Sequence, residues 1–206
     1  YVITADPAGF GSTGDKSALT VWDALERKEV AFWEGREAPD RFSKRLQLAQ
    51  KRYNTALLAV ESNATACIAI LKENGAPNLL WTSHNHPGWY ATNKRLQEAE
   101  ALLVQMIRQE DITLRSRGLL HQLLNYDGSR KKRTKGLDGA THHFDRARTA
   151  VIAADILSRR RFVKGGTTIQ SKRTPGQLTI GDLDTFKSRQ KQVAKSPFNP
   201  LPRDRS

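Results

Sequence analysis

Cysteine is nearly absent: Cys67 is the only one in 206 residues. A lone thiol closes no intramolecular disulfide and builds no zinc site from paired cysteines, a usage that suits a reducing, cytosolic compartment. Cys67 lies in the apolar run Ala66-Cys67-Ile68-Ala69-Ile70, which marks it as core filling. Long hydrophobic runs are missing as well. No stretch approaches the roughly 18 apolar residues of a membrane span, and no segment has the pattern of a signal peptide. Acids are scarce: 21 Asp and Glu face 34 Lys and Arg, for a net charge of +13 and a pI near 10.2. That balance calls for a polyanionic partner, nucleic acid or an anionic membrane. The basic stretches carry no strong apolar face, so the membrane alternative is set aside and nucleic acid remains.

What is present is enough for one core. The chain is 38% hydrophobic, which fits a single α/β domain with an extension. Tyr1 opens directly into an apolar strand-like run, so further chain is expected upstream. The charge is concentrated at the other end. Residues 159–206 hold 12 Lys and Arg against 3 acids, and are rich in Gly, Pro, Ser and Thr. We therefore expect a domain over 1–162 and a basic, flexible tail over 163–206, with one short helix near Lys187–Lys195.

Periodicity orders the body. Residues 2–6, 17–23 and 28–34 read as three strands with short connections, an antiparallel meander, with a Gly-rich loop from Gly9 to Gly14 after the first. Asp40 to Tyr53 reads as a helix with Phe42, Leu46 and Ala49 on one face. Leu57 to Val60 reads as a buried strand, and residues 64–74 as a helix stopped at Gly75. Asn78 to Trp81 suggests another strand. A long helix capped at Thr92 or Asn93 runs to Gln109, with Leu96, Ala99, Leu102, Leu103, Met106 and Ile107 at helical spacing. Ile112 to Leu114 is a short strand or connector, Arg117 to Tyr126 a helix, and Asp127 to Gly139 a polar loop. The last helix runs from Phe144 to Arg161. Three meander strands followed by alternating helices and strands outline an RNase H-like mixed sheet, with helices on both faces.

Three acids stand where such a sheet would gather them. Asp6 closes the first strand, Glu61 closes the strand 57–60, and Asp145 opens the last helix. Sites in open α/β sheets collect outside the strand ends. Carboxylates converging there repel one another without a cation, and their hard oxygens suit Mg²⁺ or Mn²⁺. Two such ions about 4 Å apart can activate a water and steady the leaving oxygen of a phosphodiester. Taken singly, each acid also has a plain reading, as a turn acid, a surface acid and a helix N-terminal acid favoured by the dipole.

The motifs around these acids tip the balance. Ile3-Thr4-Ala5-Asp6-Pro7-Ala8 with Gly14-Asp15-Lys16-Ser17-Ala18 resembles the first motif of the nuclease domain of bacteriophage terminase large subunits. Leu58-Ala59-Val60-Glu61-Ser62-Asn63 resembles the second. Gly88-Trp89-Tyr90-Ala91-Thr92-Asn93-Lys94 resembles the Gly-aromatic stretch before that family's long helix. His143-Phe144-Asp145-Arg146-Ala147-Arg148-Thr149-Ala150 resembles the third, where two adjacent acids usually follow the His. Here Phe144 takes the first of those places and Asp145 alone matches. The resemblance covers residues 1–161. It implies an RNase H-like fold, two Mg²⁺ or Mn²⁺ ions, and cutting of concatemeric double-stranded phage DNA during packaging. It also implies an upstream ATPase domain, the portal and a small terminase subunit as partners, in the host cytoplasm and transiently at the procapsid.

Other residues take lesser roles. Gly9 to Ser17 nearly spells a phosphate-binding loop, but Asp15 separates Gly14 from Lys16-Ser17 and a strand follows where a helix is needed. Asp15 is a candidate accessory metal acid, Lys16 a candidate phosphate contact, and His143 a candidate partner of a ligand acid or a water. Asp138 is a weaker metal candidate. His84 and His86 form an H-x-H pair that reads as loop. Arg130, Lys131, Lys132, Arg133 and Lys135 crowd a short stretch upstream of Asp145 and would position phosphates without reading bases. Trp89 and Tyr90 could stack on bases or pack at the helix start. Two alternatives stay open: another RNase H-like phosphotransferase, such as a junction resolvase or integrase core, and a non-catalytic DNA-binding module.

Overall fold

The computed structural model describes residues 1–8, 16–83, 86–126, 133–135, 141–162 and 199–200, with only the backbone at 83, 133–135, 141–143 and 199–200. The Gly9–Gly14 loop, Asp15, His84, Arg130, Lys131, Lys132, Asp138 and the expected helix at Lys187–Lys195 lie outside these residues. Among the described residues, no helix is long and apolar enough to cross a membrane.

The meander forms as expected. Strand β1 (Val2–Asp6) pairs antiparallel with β2 (Ser17–Asp23), which pairs antiparallel with β3 (Lys28–Gly35). After helix α1 (Pro39–Arg52), strand β4 (Leu57–Val60) returns parallel to β1, with Ala5 opposite Val60. The crossover puts β1 inside the sheet, and every residue of it is buried. Side chains alternate across a strand. Val2 therefore faces one core with Trp22, Leu57 and Ala59, while Ile3 and Ala5 face a second core with Leu19, Val21, Leu58 and Val60. Helices α1 and α2 (Thr65–Glu73) cover the second core through Phe42, Leu46, Cys67 and Leu71. Helices α3 (Asn93–Arg108), α4 (Arg117–Leu124) and α5 (Asp145–Arg159) cover the first. The result is a mixed α/β sheet with helices on both faces.

Three segments depart from the expected pattern. Asn78–Leu80 makes only a bridge beside β4, with Leu58 N donating to Asn78 O and Leu80 N to Leu58 O. Trp81 instead opens a hairpin, β5 (Trp81–Ser83) with β6 (His86–Pro87), in which Trp81 faces Pro87. The supposed polar loop 127–139 contains a strand. β7 (Arg133–Lys135) pairs antiparallel with β8 (Thr141–His143), each arm carrying a β-branched threonine that suits a strand. Finally, β9 (Asn199–Pro200) lies antiparallel on β3, so the five-stranded order is β4-β1-β2-β3-β9. Thr113, in the expected connector, pairs with the start of β3 through Glu29 N donating to Thr113 O at 2.9 Å.

Candidate functional site

Strand register makes Asp6 and Glu61 neighbours. Glu61 N donates to Ala5 O at 2.9 Å, continuing the parallel ladder one step past β4. By alternation Asp6 follows Val2 and Thr4, and Glu61 follows Leu57 and Ala59, onto the face that α5 covers. Both carboxylates are buried. Asn63 Nδ2 donates to Glu61 Oε1 at 3.2 Å, which gives the asparagine of the second motif an orienting role.

The Gly-aromatic stretch holds this strand end from the other side. Trp89 N donates to Val60 O at 2.6 Å and Ser62 N donates to Trp89 O at 3.0 Å. Gly88 is required twice over: its φ is positive, and a Cβ there would stand 2.6 Å from Val60 O and 2.7 Å from Ile68 Cδ1. Trp89 is fully buried, with its Nε1 donating to Asp155 Oδ2 at 2.7 Å. It is a packing residue and cannot stack on bases. Tyr90 is 45% exposed and stacks on His86, the described half of the H-x-H pair.

Asp145 is the first residue of α5 and is fully buried. One turn later, Thr149 Oγ1 meets Thr20 Oγ1 of β2 at 2.7 Å, laying the helix on the same sheet face. Phe144 offers α5 no side-chain cap. Gln122 of α4 supplies it instead, its Oε1 accepting from Arg146 N and Ala147 N at 3.0 Å each. Phe144 packs edge-on against Tyr126, with ring centroids 5.3 Å apart. A core aromatic thus fills the place where the resembled motif carries its first acid.

The three acids therefore share one face of the sheet, and their oxygen-only donor chemistry fits Mg²⁺ or Mn²⁺. Among the described residues, no group of three or more His, Cys, Asp and Glu side chains stands close enough to hold a metal ion. Asp6 and Glu61 are the pair that register brings side by side. Asp145 comes from above, on the helix, without closing a single cluster with them.

Two buried ion networks fix α5. On one flank, Glu29 Oε2 accepts from Arg115 N and Ser116 N at 2.9 and 3.0 Å, where α4 starts. Arg146 reaches Glu29 Oε1 at 3.5 Å, bonds Ser116 Oγ, and covers the Phe32 ring at 3.8 Å. Burial lowers the Arg146 pKa from its ordinary value, opposed by Glu29 and Glu34. On the other flank, Asp155 Oδ2 accepts from Arg95 Nε and Nη2 as well as from Trp89, and Oδ1 accepts from Arg159. The hydrogen bond it donates to Asp155 raises the Arg159 pKa. The sequence reading missed Glu29 and Asp155. The one available signal was an acid inside an apolar stretch, as in Ala153-Ala154-Asp155-Ile156-Leu157.

The remaining candidates are placed unevenly. Lys16 Nζ pairs with Glu34 Oε1 at 3.0 Å, so it is directed at β3. Ser17 Oγ accepts from Ala8 N at 2.9 Å, tying together the two ends of the Gly-rich segment. Arg133 and Lys135 belong to β7, and His143 to β8 directly opposite Arg133. Arg133 and Lys135 thus belong to a ribbon whose other arm, β8, leads into α5.

No family model matches the sequence, and no curated protein sequence matches it. The fold does have a solved counterpart. The crystal structure of the large terminase nuclease from thermophilic phage G20c superposes with a TM-score of 0.55 at 15% identity, covering 74% of this chain and 80% of that one. The mixed sheet with helices on both faces is the RNase H-like fold of that nuclease.

Proposed function

We propose that this chain is a metal-dependent endonuclease domain that cuts double-stranded DNA with low sequence specificity, the cutting part of a phage genome-packaging terminase. The observation that carries this reading is the adjacency of Asp6 and Glu61 at the ends of two parallel strands, beneath the helix that Asp145 opens. Likeness to a terminase nuclease in fold and the order of the four motifs support it.

Asp6 and Glu61 would hold Mg²⁺ or Mn²⁺, joined by Asp145, with Asp15 and His143 as accessory groups. Two bound ions supply an activated water and charge to steady the leaving 3′ oxygen. The protein's own groups do the rest. Asn63 orients Glu61, and Trp89 fixes the strand end that carries it. The net charge of +13 draws duplex DNA, and Arg130, Lys131, Lys132, Arg133 and Lys135 bind its phosphates without reading bases. In this reading the substrate is concatemeric phage DNA. The partners are an ATPase domain upstream, the portal and a small terminase subunit, in the host cytoplasm and at the procapsid.

Supercoiled plasmid incubated with the chain and Mn²⁺ or Mg²⁺ should be nicked and linearised, and chelator should stop the reaction. Cleavage that survives both Asp6→Asn and Glu61→Gln would sink the assignment. Comparing linear duplex, a four-way junction and an RNA–DNA hybrid separates a packaging nuclease from a junction resolvase; preference for the junction favours the latter.

A further inference from the structure

Arg148 is a buried cation that makes no ion pair with an acid among the described residues. It is 6% exposed, and its Nη1 has no hydrogen-bond partner among the described residues. The arginines around it behave differently. Arg146, also buried, has Glu29, Ser116 and the Phe32 ring. Arg95 has Asp155 and lies over the Trp89 ring at 5.1 Å. A guanidinium nitrogen withdrawn from water without a partner is costly.

Helix geometry locates it. Seven residues, two turns, separate Arg148 from Asp155, so both lie on one flank of α5. Asp155 on that flank receives Trp89, whose backbone is bonded to Val60 and Ser62 at the end of β4. Arg146 occupies the opposite flank, over Phe32 of β3, and Thr149 faces β2 between them. Arg148 therefore lies toward the β1–β4 side, where Asp6 and Glu61 end their strands, and one turn from Asp145.

We infer that Arg148 is a phosphate-binding residue of this site, its guanidinium held for the non-bridging oxygens of a DNA phosphate lying at the carboxylates. This rests on the reading of Asp6 and Glu61 as the cutting site. An acidic centre repels the phosphate it must act on, and a planar guanidinium offers that phosphate two parallel donors at once. Its burial pre-pays the ordering of a long side chain, so that phosphate contact recovers what desolvation cost.

The test is Arg148→Met, which keeps the apolar stem and removes the charge. A merely structural arginine loses stability on this change. An arginine kept for a ligand does not: its Tm should stay level or rise. Binding of duplex DNA in chelator, without divalent ions, should weaken about tenfold, and the slope of log K against log salt should become shallower by about 0.9. With Mn²⁺, kcat/KM should fall by roughly 100-fold. A lowered Tm with unchanged DNA affinity and salt slope would overturn the inference. If Arg148→Met does not fold, Arg148→Lys takes its place. It should keep the salt slope and lose about tenfold in kcat/KM, since the charge remains and the paired donors do not; wild-type kcat/KM would overturn the inference. Asp6→Asn, run alongside, tells the two failures apart. If it abolishes cleavage while Arg148→Met changes nothing, the arginine assignment alone is wrong. If wild type never cuts, both fall.

Discussion

The indole Nε1 of Trp89 donates to Oδ2 of Asp155 across 2.7 Å, in a place without solvent. That bond joins the segment clamping the end of β4 to the middle of α5, and Arg95 and Arg159 complete the carboxylate's shell. Removing one partner of a buried ion pair strands the others, at a cost of about 3–5 kcal/mol. Asp155→Asn should therefore lower Tm by roughly 10 °C in thermal unfolding followed by circular dichroism, given about 2–4 °C per kcal/mol at this size. A change within about 2 °C would mean the network contributes little.

Binding and cutting should come apart at the acids. Asp6→Asn and Glu61→Gln each remove charge from a site that meets phosphate, so duplex affinity measured in chelator should hold or tighten. Cleavage with Mn²⁺ should drop by roughly 100-fold or more. Asp145→Asn should follow the same pattern. Loss of affinity in step with loss of cleavage would point instead to damaged folding.

Two glycines with positive φ should respond differently to alanine. Gly75, at φ +62°, has open space where a Cβ would go, so Gly75→Ala carries only the left-handed backbone cost, about 1–2 kcal/mol. Gly88→Ala carries that cost and also drives a Cβ against Val60 O and Ile68. The Val60 carbonyl belongs to the strand end that bears Glu61. Gly88→Ala should lose clearly more stability than Gly75→Ala in urea unfolding, and lose cleavage activity in the fraction that stays folded. Equal unfolding midpoints would contradict the close approach.

Cys67 gives the stability a signature at high pH. Burial pushes its thiol from 9.0 up to about 11, with the Ser43 hydroxyl opposing weakly at 3.2 Å from Sγ. The folded value stands above the unfolded one. Its contribution is therefore intact below pH 9.0 and drains away as pH rises toward about 11. At about 1.4 kcal/mol per unit, Cys67→Ala should flatten a fall of a few kcal/mol over that window, whatever it does to Tm at neutral pH. Parallel pH profiles for wild type and variant would refute the assignment.

Much of this was readable from local pattern. α1 and α3 announce themselves because their burial repeats with the helical period, as in Phe42, Leu46 and Ala49, and β1, β2 and β4 because short apolar runs between turn signals mark buried strands. Asp6 and Glu61 were legible because each ends such a run. What escaped depends on distant partners. The need for glycine at 88 rests on its close approach to Val60 O, and charge masked the ribbon of Arg133–Lys135. Glu29 looks like a turn acid until Ser116, 87 residues away, is set against it. Asp155 and Trp89 are 66 residues apart. Arg148 hides best, since its meaning lies in a partner the described residues do not supply.

Pro200 stands opposite Ala31 at the outer margin of the sheet. Proline has no amide hydrogen to donate, so this edge offers one donor fewer to a further strand. A chain shortened after residue 162 would lose this strand and expose the backbone of Ala31 and Phe32 as a template for another copy. Light scattering should show the shortened chain self-associating where the whole chain does not. Asn199–Pro200 thus covers, from the far end of the sequence, the edge of a sheet that begins nearly two hundred residues earlier.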